Sequence, residues 1–108
     1  VYYSRKYTAF KREMKALIDE MDIELFEKKI SIVVKFYMPI PRSLSKKKRE
    51  LLDGKHCDVG GDVDNLLKSI FDSLNMIAFN DDKQIVAVKA SKYYSFEPRI
   101  EIHLEEVE

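Results

Sequence analysis

Nine consecutive residues, Ile30 to Met38, read ISIVVKFYM and are closed off by Pro39 and Pro41. β-Branched and aromatic side chains suit a pleated surface, and prolines cannot continue a ladder, so this run is a strand. The unbroken IVV at its middle puts apolar groups on both faces, the mark of a strand inside a sheet rather than at its rim. With 108 residues the chain has room for a single core. Whatever lies on either side of this strand must therefore pack against it.

Two amphipathic patterns do so. From Tyr7 to about Asp22, the residues Phe10, Met14, Leu17, Ile18 and Met21 recur at spacings of three and four, which predicts a helix with one apolar stripe. Asp64 to Asn75 predicts a second helix that buries Leu66, Leu67, Ile70, Phe71 and Leu74. Between them, Ser43 or Ser45 can cap a helix of about two turns that ends near Gly54. After an FNDDK turn, Gln84 to Ala90 alternates as a strand with one or both faces buried. Pro98 to Leu104 points Ile100, Ile102 and Leu104 inward against Arg99, Glu101 and His103 outward, with SKYYSFEP as a hairpin connection. The predicted class is α+β: one domain over residues 1–108, a small mixed sheet with helices on one face.

Charge is balanced in total but not in place. Nineteen basic and nineteen acidic side chains cancel, so net charge points to no polyanionic partner. Basic residues gather before Lys15 and again over Arg42, Lys46, Lys47, Lys48, Arg49 and Lys55, while the acids collect in the centre and at the tail. One cysteine, Cys57, excludes an internal disulfide and a cysteine-based zinc site, and suits a reducing cytoplasm. No apolar run is long enough to span a bilayer. The chain opens on Val rather than Met and is expected to lack its native start.

The chemistry gathers in GGDVDNLLK, Gly60 to Lys68, and in a second acidic pair, Asp81 and Asp82. At 100° per residue, with Asp64 at zero, Lys68 lies at about 40° and Asp72 at about 80°, opposite the apolar stripe. Two readings fit this spacing. In one, Asp62 or Asp64 caps the helix, Lys68 pairs with Asp64 or Asp72, and Asp81 and Asp82 form a turn. In the other the acids converge, which is tolerable only with a cation among them. Magnesium, a hard ion content with one or two carboxylates, is the natural guest. Such an ion activates water and offsets phosphoryl charge, and a nearby lysine can assist.

GDVDNLLKSIFDSLN followed by NDDKQI resembles the signature of the RusA-type Holliday junction resolvases, endonucleases of phages and prophages. The family pattern is Asp-x-Asp-Asn-Leu-x-Lys, a helix with Asp-x-Leu, a short turn, then Asp-Asp-x-Gln and an apolar strand. Its elements stand here as Asp62, Asp64, Asn65, Leu66, Lys68, Asp72, Leu74, Asp81, Asp82 and Gln84. KYTAFK near the start and the later VKASKYY extend the likeness over nearly the whole chain. The resemblance implies a Mg²⁺-dependent homodimer, with Mn²⁺ as a workable substitute, that nicks two strands of a four-way DNA junction symmetrically. It implies Asp62, Asp64 and Asp82 as metal-binding acids, Lys68 as the essential lysine, and Asp81 and Asn65 as supporting residues. Mechanism agrees with a dimer, since a two-fold junction calls for two equivalent sites.

Two departures from the family stand out. Many members carry a basic residue and Pro, or a run of arginines, just before the first Asp, where this chain has Gly60 and Gly61. The basic region common at the family's N-terminus is also absent. DNA binding is expected from Arg42, Lys46, Lys47, Lys48, Arg49 and Lys55, with Lys11, Arg12 and Lys15 as a weaker patch. His56, His103 and Cys57 read as incidental, and Tyr93, Tyr94 and Phe96 read as packing residues before base-stacking ones. The alternatives left open are a flap or fork nuclease, a silent junction-binding prophage remnant, and a domain whose acids are only caps.

Overall fold

A computed structural model describes residues 1–6, 10–59 and 61–108, with side chains described outside 10–13. The elements run β1 (Tyr2–Lys6), α1 (Phe10–Glu20), β2 (Ile30–Pro39), α2 (Lys46–Leu52), α3 (Val63–Leu74), β3 (Ile85–Ser95) and β4 (Arg99–Glu106). The four strands form one mixed sheet in the order β1-β4-β2-β3. β2 pairs parallel with β3 and antiparallel with β4, while β1 closes the far side against β4. The α+β expectation and the interior position of β2 both hold.

β2 alternates strictly: Ile30, Ile32, Val34, Phe36 and Met38 are buried, and the residues between them are less so. Ile100, Ile102 and Leu104 of β4 share the buried face. Met14, Leu17, Ile18 and Met21 from the α1 region, with Leu66, Ile70 and Leu74 of α3, complete the core on that side. Each parallel step, β1 to β2 through α1 and β2 to β3 through α3, is a crossover over the same face. α3 accordingly packs on β3 and on α1. The other face of the sheet is polar, with Arg99 lying 3.7 Å over the Tyr37 ring and Tyr93 stacked between Tyr37 and His56.

Three features differ from expectation. β1 carries no alternation of its own and exists because β4 offers it a ladder, from Tyr2 opposite His103 to Lys6 opposite Arg99. SKYYSFEP is not a hairpin connection: β3 runs on to Ser95, and β2 lies between β3 and β4. Finally, the first half of β3 is not buried. Val86 and Val88 are 51% and 45% exposed, because β3 is an edge strand. The expected helix from Tyr7 begins its described part at Phe10, and residues 7–9 lie outside the described set.

α2 is capped as expected, with Ser45 Oγ accepting the Lys48 N–H at 3.3 Å. α3 ends less comfortably. Met76, just past its C-cap Asn75, sits in the left-handed region at φ 68° and is 69% exposed. An L-residue there carries a steric cost that glycine avoids. Met76→Gly should therefore stabilise the fold by about 1 kcal/mol, read as a higher urea midpoint with unchanged slope.

Candidate active site

Gly61, at φ +104°, turns the chain into α3 in a conformation that side chains rarely adopt. Asp62 follows as N-cap with extended backbone, and its carbonyl accepts the first helical bond from Leu66 N–H at 3.1 Å. Among the described residues its carboxylate, however, makes no side-chain cap bond to the helix. Asp62 caps by position and does not spend its side chain on the cap. Asp64 stands exposed in the first turn, where the helix's positive end favours an anion. Lys68 is exposed one turn on and makes no ion pair with Asp64 or Asp72 among the described residues. Gly61, Asp62, Asn65, Lys68 and Asp72 line a concavity of ≈ 460 Å³ together with Met14 of α1.

The second acidic pair is built differently. Asp81 Oδ1 accepts the Lys83 N–H at 2.8 Å, which holds this carboxyl below its ordinary value of 3.8. Gln84 Oε1 accepts N–H groups of Asn80 and Asp81. Its Nε2 donates to the carbonyls of Phe26 at 2.8 Å and Lys28 at 3.0 Å. The Asp-Asp-x-Gln run is thus a capping box closed on one 3₁₀ turn and fastened to the segment before β2. Asp82 projects from that turn, exposed, and lines a smaller concavity of ≈ 250 Å³ with Phe71, Asp72, Asn75, Asn80 and Asp81.

The two groups lie toward opposite ends of α3. Twelve residues of helix span about 18 Å, far beyond the reach of one coordination shell. Among the described residues no three His, Cys, Asp or Glu side chains gather closely enough to hold a metal ion. Asp62 and Asp64 share one end of the helix, Asp82 and Asp81 the other, with Asp72 lining both concavities. The acids of one chain, as folded, do not fit a three-carboxylate metal site.

Of the expected DNA contacts, Arg42, Lys46, Lys47, Lys48 and Lys55 are exposed. Arg49 is not equivalent to them. It is half-buried, its guanidinium lies 5.6 Å from the Phe96 ring centre, and its Nε has no hydrogen-bond partner among the described residues. Tyr94 is buried and donates to Asp58 at 3.3 Å, and buried Cys57 donates weakly to the Val59 carbonyl.

Lys92 was not anticipated. It lies on the helix-facing side of β3 opposite Phe36, is only 7% exposed, and donates from Nζ to the Gly61 carbonyl at 2.5 Å. A buried ammonium thus anchors the residue just before Asp62. The available signal was a lysine at an inward position of a strand, between Ala90 and Tyr94. The loop is further fixed by β-type bonds, Gly54 N–H to Tyr94 O, Tyr94 N–H to Lys55 O and Cys57 N–H to Lys92 O. Lys92→Met keeps the apolar stem and loses the bond. It should cost about 1 kcal/mol in urea unfolding and speed amide exchange at Asp62 and Val63.

Comparison with known proteins adds a different kind of finding. A family model described as Endodeoxyribonuclease RusA matches residues 1–105. The chain is also similar to the Uncharacterized protein YqaN of Bacillus subtilis (strain 168), 43% identical over 82 residues. That alignment covers 72% of this chain and 58% of YqaN, so the chain spans well under two thirds of that relative's length. With the motif residues in place along α3 and the turn after it, the chain belongs to the RusA endodeoxyribonuclease family.

Proposed function

We propose that this protein is a divalent-metal-dependent endonuclease that resolves Holliday junctions by paired symmetric nicks. It would act as a homodimer in cytoplasmic DNA recombination and repair, with Mg²⁺ as the natural ion and Mn²⁺ as a substitute. The observation that carries this reading is the family match over residues 1–105; the motif residues of the resemblance lie on α3 and the turn after it. Supporting it, the Asp62 carboxylate is not spent on its own helix cap, and Asp64 and Lys68 stand exposed beside it. An exposed lysine one turn beyond Asp64 suits the stabilisation of charge that develops on a phosphoryl oxygen. The family resemblance assigns Asp62, Asp64 and Asp82 to the metal, with Asp81 and Asn65 as supports, a set that the described residues of a single chain do not by themselves bring together. Among the described residues no helix is long and apolar enough to cross a membrane.

DNA would be held by charge outside the acidic centre. Lys46, Lys47 and Lys48 lie at the start of α2, which leads into the loop carrying Gly61 and Asp62. Phosphate contacts of this kind release counterions and make binding steeply salt-dependent.

Two experiments test the reading. On a synthetic four-way junction, the wild type with Mg²⁺ should give paired nicks, with a matched linear duplex left intact. EDTA or Asp64→Asn should remove them. Equal cutting of flaps or forks would make the protein a broader structure-selective nuclease, and binding without any cutting would make it a junction binder. Changing Lys46, Lys47 and Lys48 together to Glu should weaken junction binding by roughly tenfold or more near ~100 mM salt, with circular dichroism unchanged. Unaltered affinity at low salt would remove α2 from the DNA interface.

A further inference from the structure

β2 and β3 end side by side, Pro39 opposite Ser95, and a small cavity of ≈ 140 Å³ opens where they stop. From the groups that line it, we infer that this cavity seats one phosphate group of the DNA strand to be cut. The choice of DNA as the source rests on the nuclease reading. The cavity's preference for an oxyanion does not.

Charge is the first argument. Arg42, from the turn after β2, and Arg49, from the last turn of α2, both line the cavity, and among the described residues no Asp or Glu does. Neither arginine makes an ion pair among the described residues. The carboxylates nearest in sequence are engaged elsewhere. Asp53, four residues beyond Arg49, accepts the Phe96 N–H at 3.3 Å, and Glu97 pairs with Lys6 at 3.7 Å. Two guanidiniums around one small space repel unless an anion lies between them.

Hydrogen bonding is the second. The Arg49 Nε is buried and has no partner among the described residues. Folded proteins seldom leave a buried donor so unless an ion or a water completes it. The Phe96 ring, 5.6 Å away, holds this guanidinium in place. Ser95, only 8% exposed, accepts the Glu97 N–H at 3.0 Å and Arg99 Nη1 at 3.2 Å. Both lone pairs of its Oγ are thereby used, which leaves the O–H to donate. At about 30 Å³ per water, the cavity has room for about five waters, or for one tetrahedral oxyanion with little to spare. Planar arginine forks suit phosphate oxygens, whereas the exposed lysines of α2 act as point charges.

Position ties the cavity to the substrate. Ser95 lies three residues along β3 from Lys92, roughly 10 Å, and Lys92 holds the Gly61 carbonyl just before Asp62. Lys46, Lys47 and Lys48 open the same short helix that carries Arg49. A strand drawn in by the lysines would seat a phosphate at Arg49 and reach Asp62. A seated phosphate fixes the strand's register, which mobile surface charges cannot do.

Nuclear magnetic resonance of the arginine side chains reads the Arg49 Nε–H directly. Inorganic phosphate should shift it, and the Phe96 amide, saturably, while chloride at equal ionic strength should not. A four-way junction in EDTA should shift the same signals and displace the phosphate. Arg49→Gln and, at an exposed position, Arg42→Gln should each lower phosphate affinity several-fold. Each should also flatten the slope of log K for junction binding against log salt by about 0.9, one phosphate's worth. Arg49→Lys keeps the charge and loses Nε, so it should recover the slope without recovering phosphate affinity. A linear, unsaturated response to phosphate, or a slope unmoved by both glutamine variants, would overturn the cavity as a site. Continued nicking by the wild type would then leave the nuclease reading standing. Saturable phosphate binding that the junction does not displace would overturn the assignment to DNA. Displacement by the junction without nicking in Mg²⁺ would support the seat and overturn the nuclease reading.

Discussion

The fold depends on β2 being hydrogen-bonded along both of its edges. All ten of its residues pair with β3 on one side and the first eight, Ile30 to Tyr37, pair with β4 on the other, and its alternate side chains form the floor of the core. Backbone groups buried so deeply must be satisfied by neighbours, and the ladders on the two sides meet that requirement over Ile30 to Tyr37. Because β3 is parallel to β2, the chain has to cross the sheet between them, and α3 is that crossing. The same constraint that completes the sheet puts the functional helix over it, with its apolar side down.

Loop anchoring then does for the site what the sheet does for the core. At the start of α3, a buried lysine holds the Gly61 carbonyl and short β-type bonds hold residues 54–57. At its end, Gln84 uses both its carbonyl and its amide to bind four backbone groups. Among the described residues neither acidic group depends on an ion pair for its position, and the Asp62, Asp64 and Asp82 side chains stay exposed.

The elements with a clear period were readable from the chain alone: β2, the buried face of β4, and the helices with apolar stripes at three and four. Ser45 as cap of α2 followed from side-chain chemistry. β1 was not readable, because YYSRK has no pattern until β4 lies beside it. The order of β3 and β4 was not readable either, since alternation fixes which face a residue takes and says nothing of which strand lies next door. In the site, the motif residues were identifiable but their spacing in space was not. Helical angle put Asp64, Lys68 and Asp72 in one column, and only the fold showed that the NDD turn stays at the far end of α3. Lys92 escaped because its role is a single bond to a backbone carbonyl distant in sequence.

The Gln84 fastening also has a metrical consequence. Since the acidic turn is tied to residues 26 and 28 and the other acids are tied to the loop at Gly61, α3 behaves as a ruler between two fixed points. Adding or removing one residue would change its length by only about 1.5 Å but rotate everything beyond by about 100°. The stretch between the two motifs is thereby held in number more tightly than in kind: many side chains could fill its exposed positions, but few lengths could.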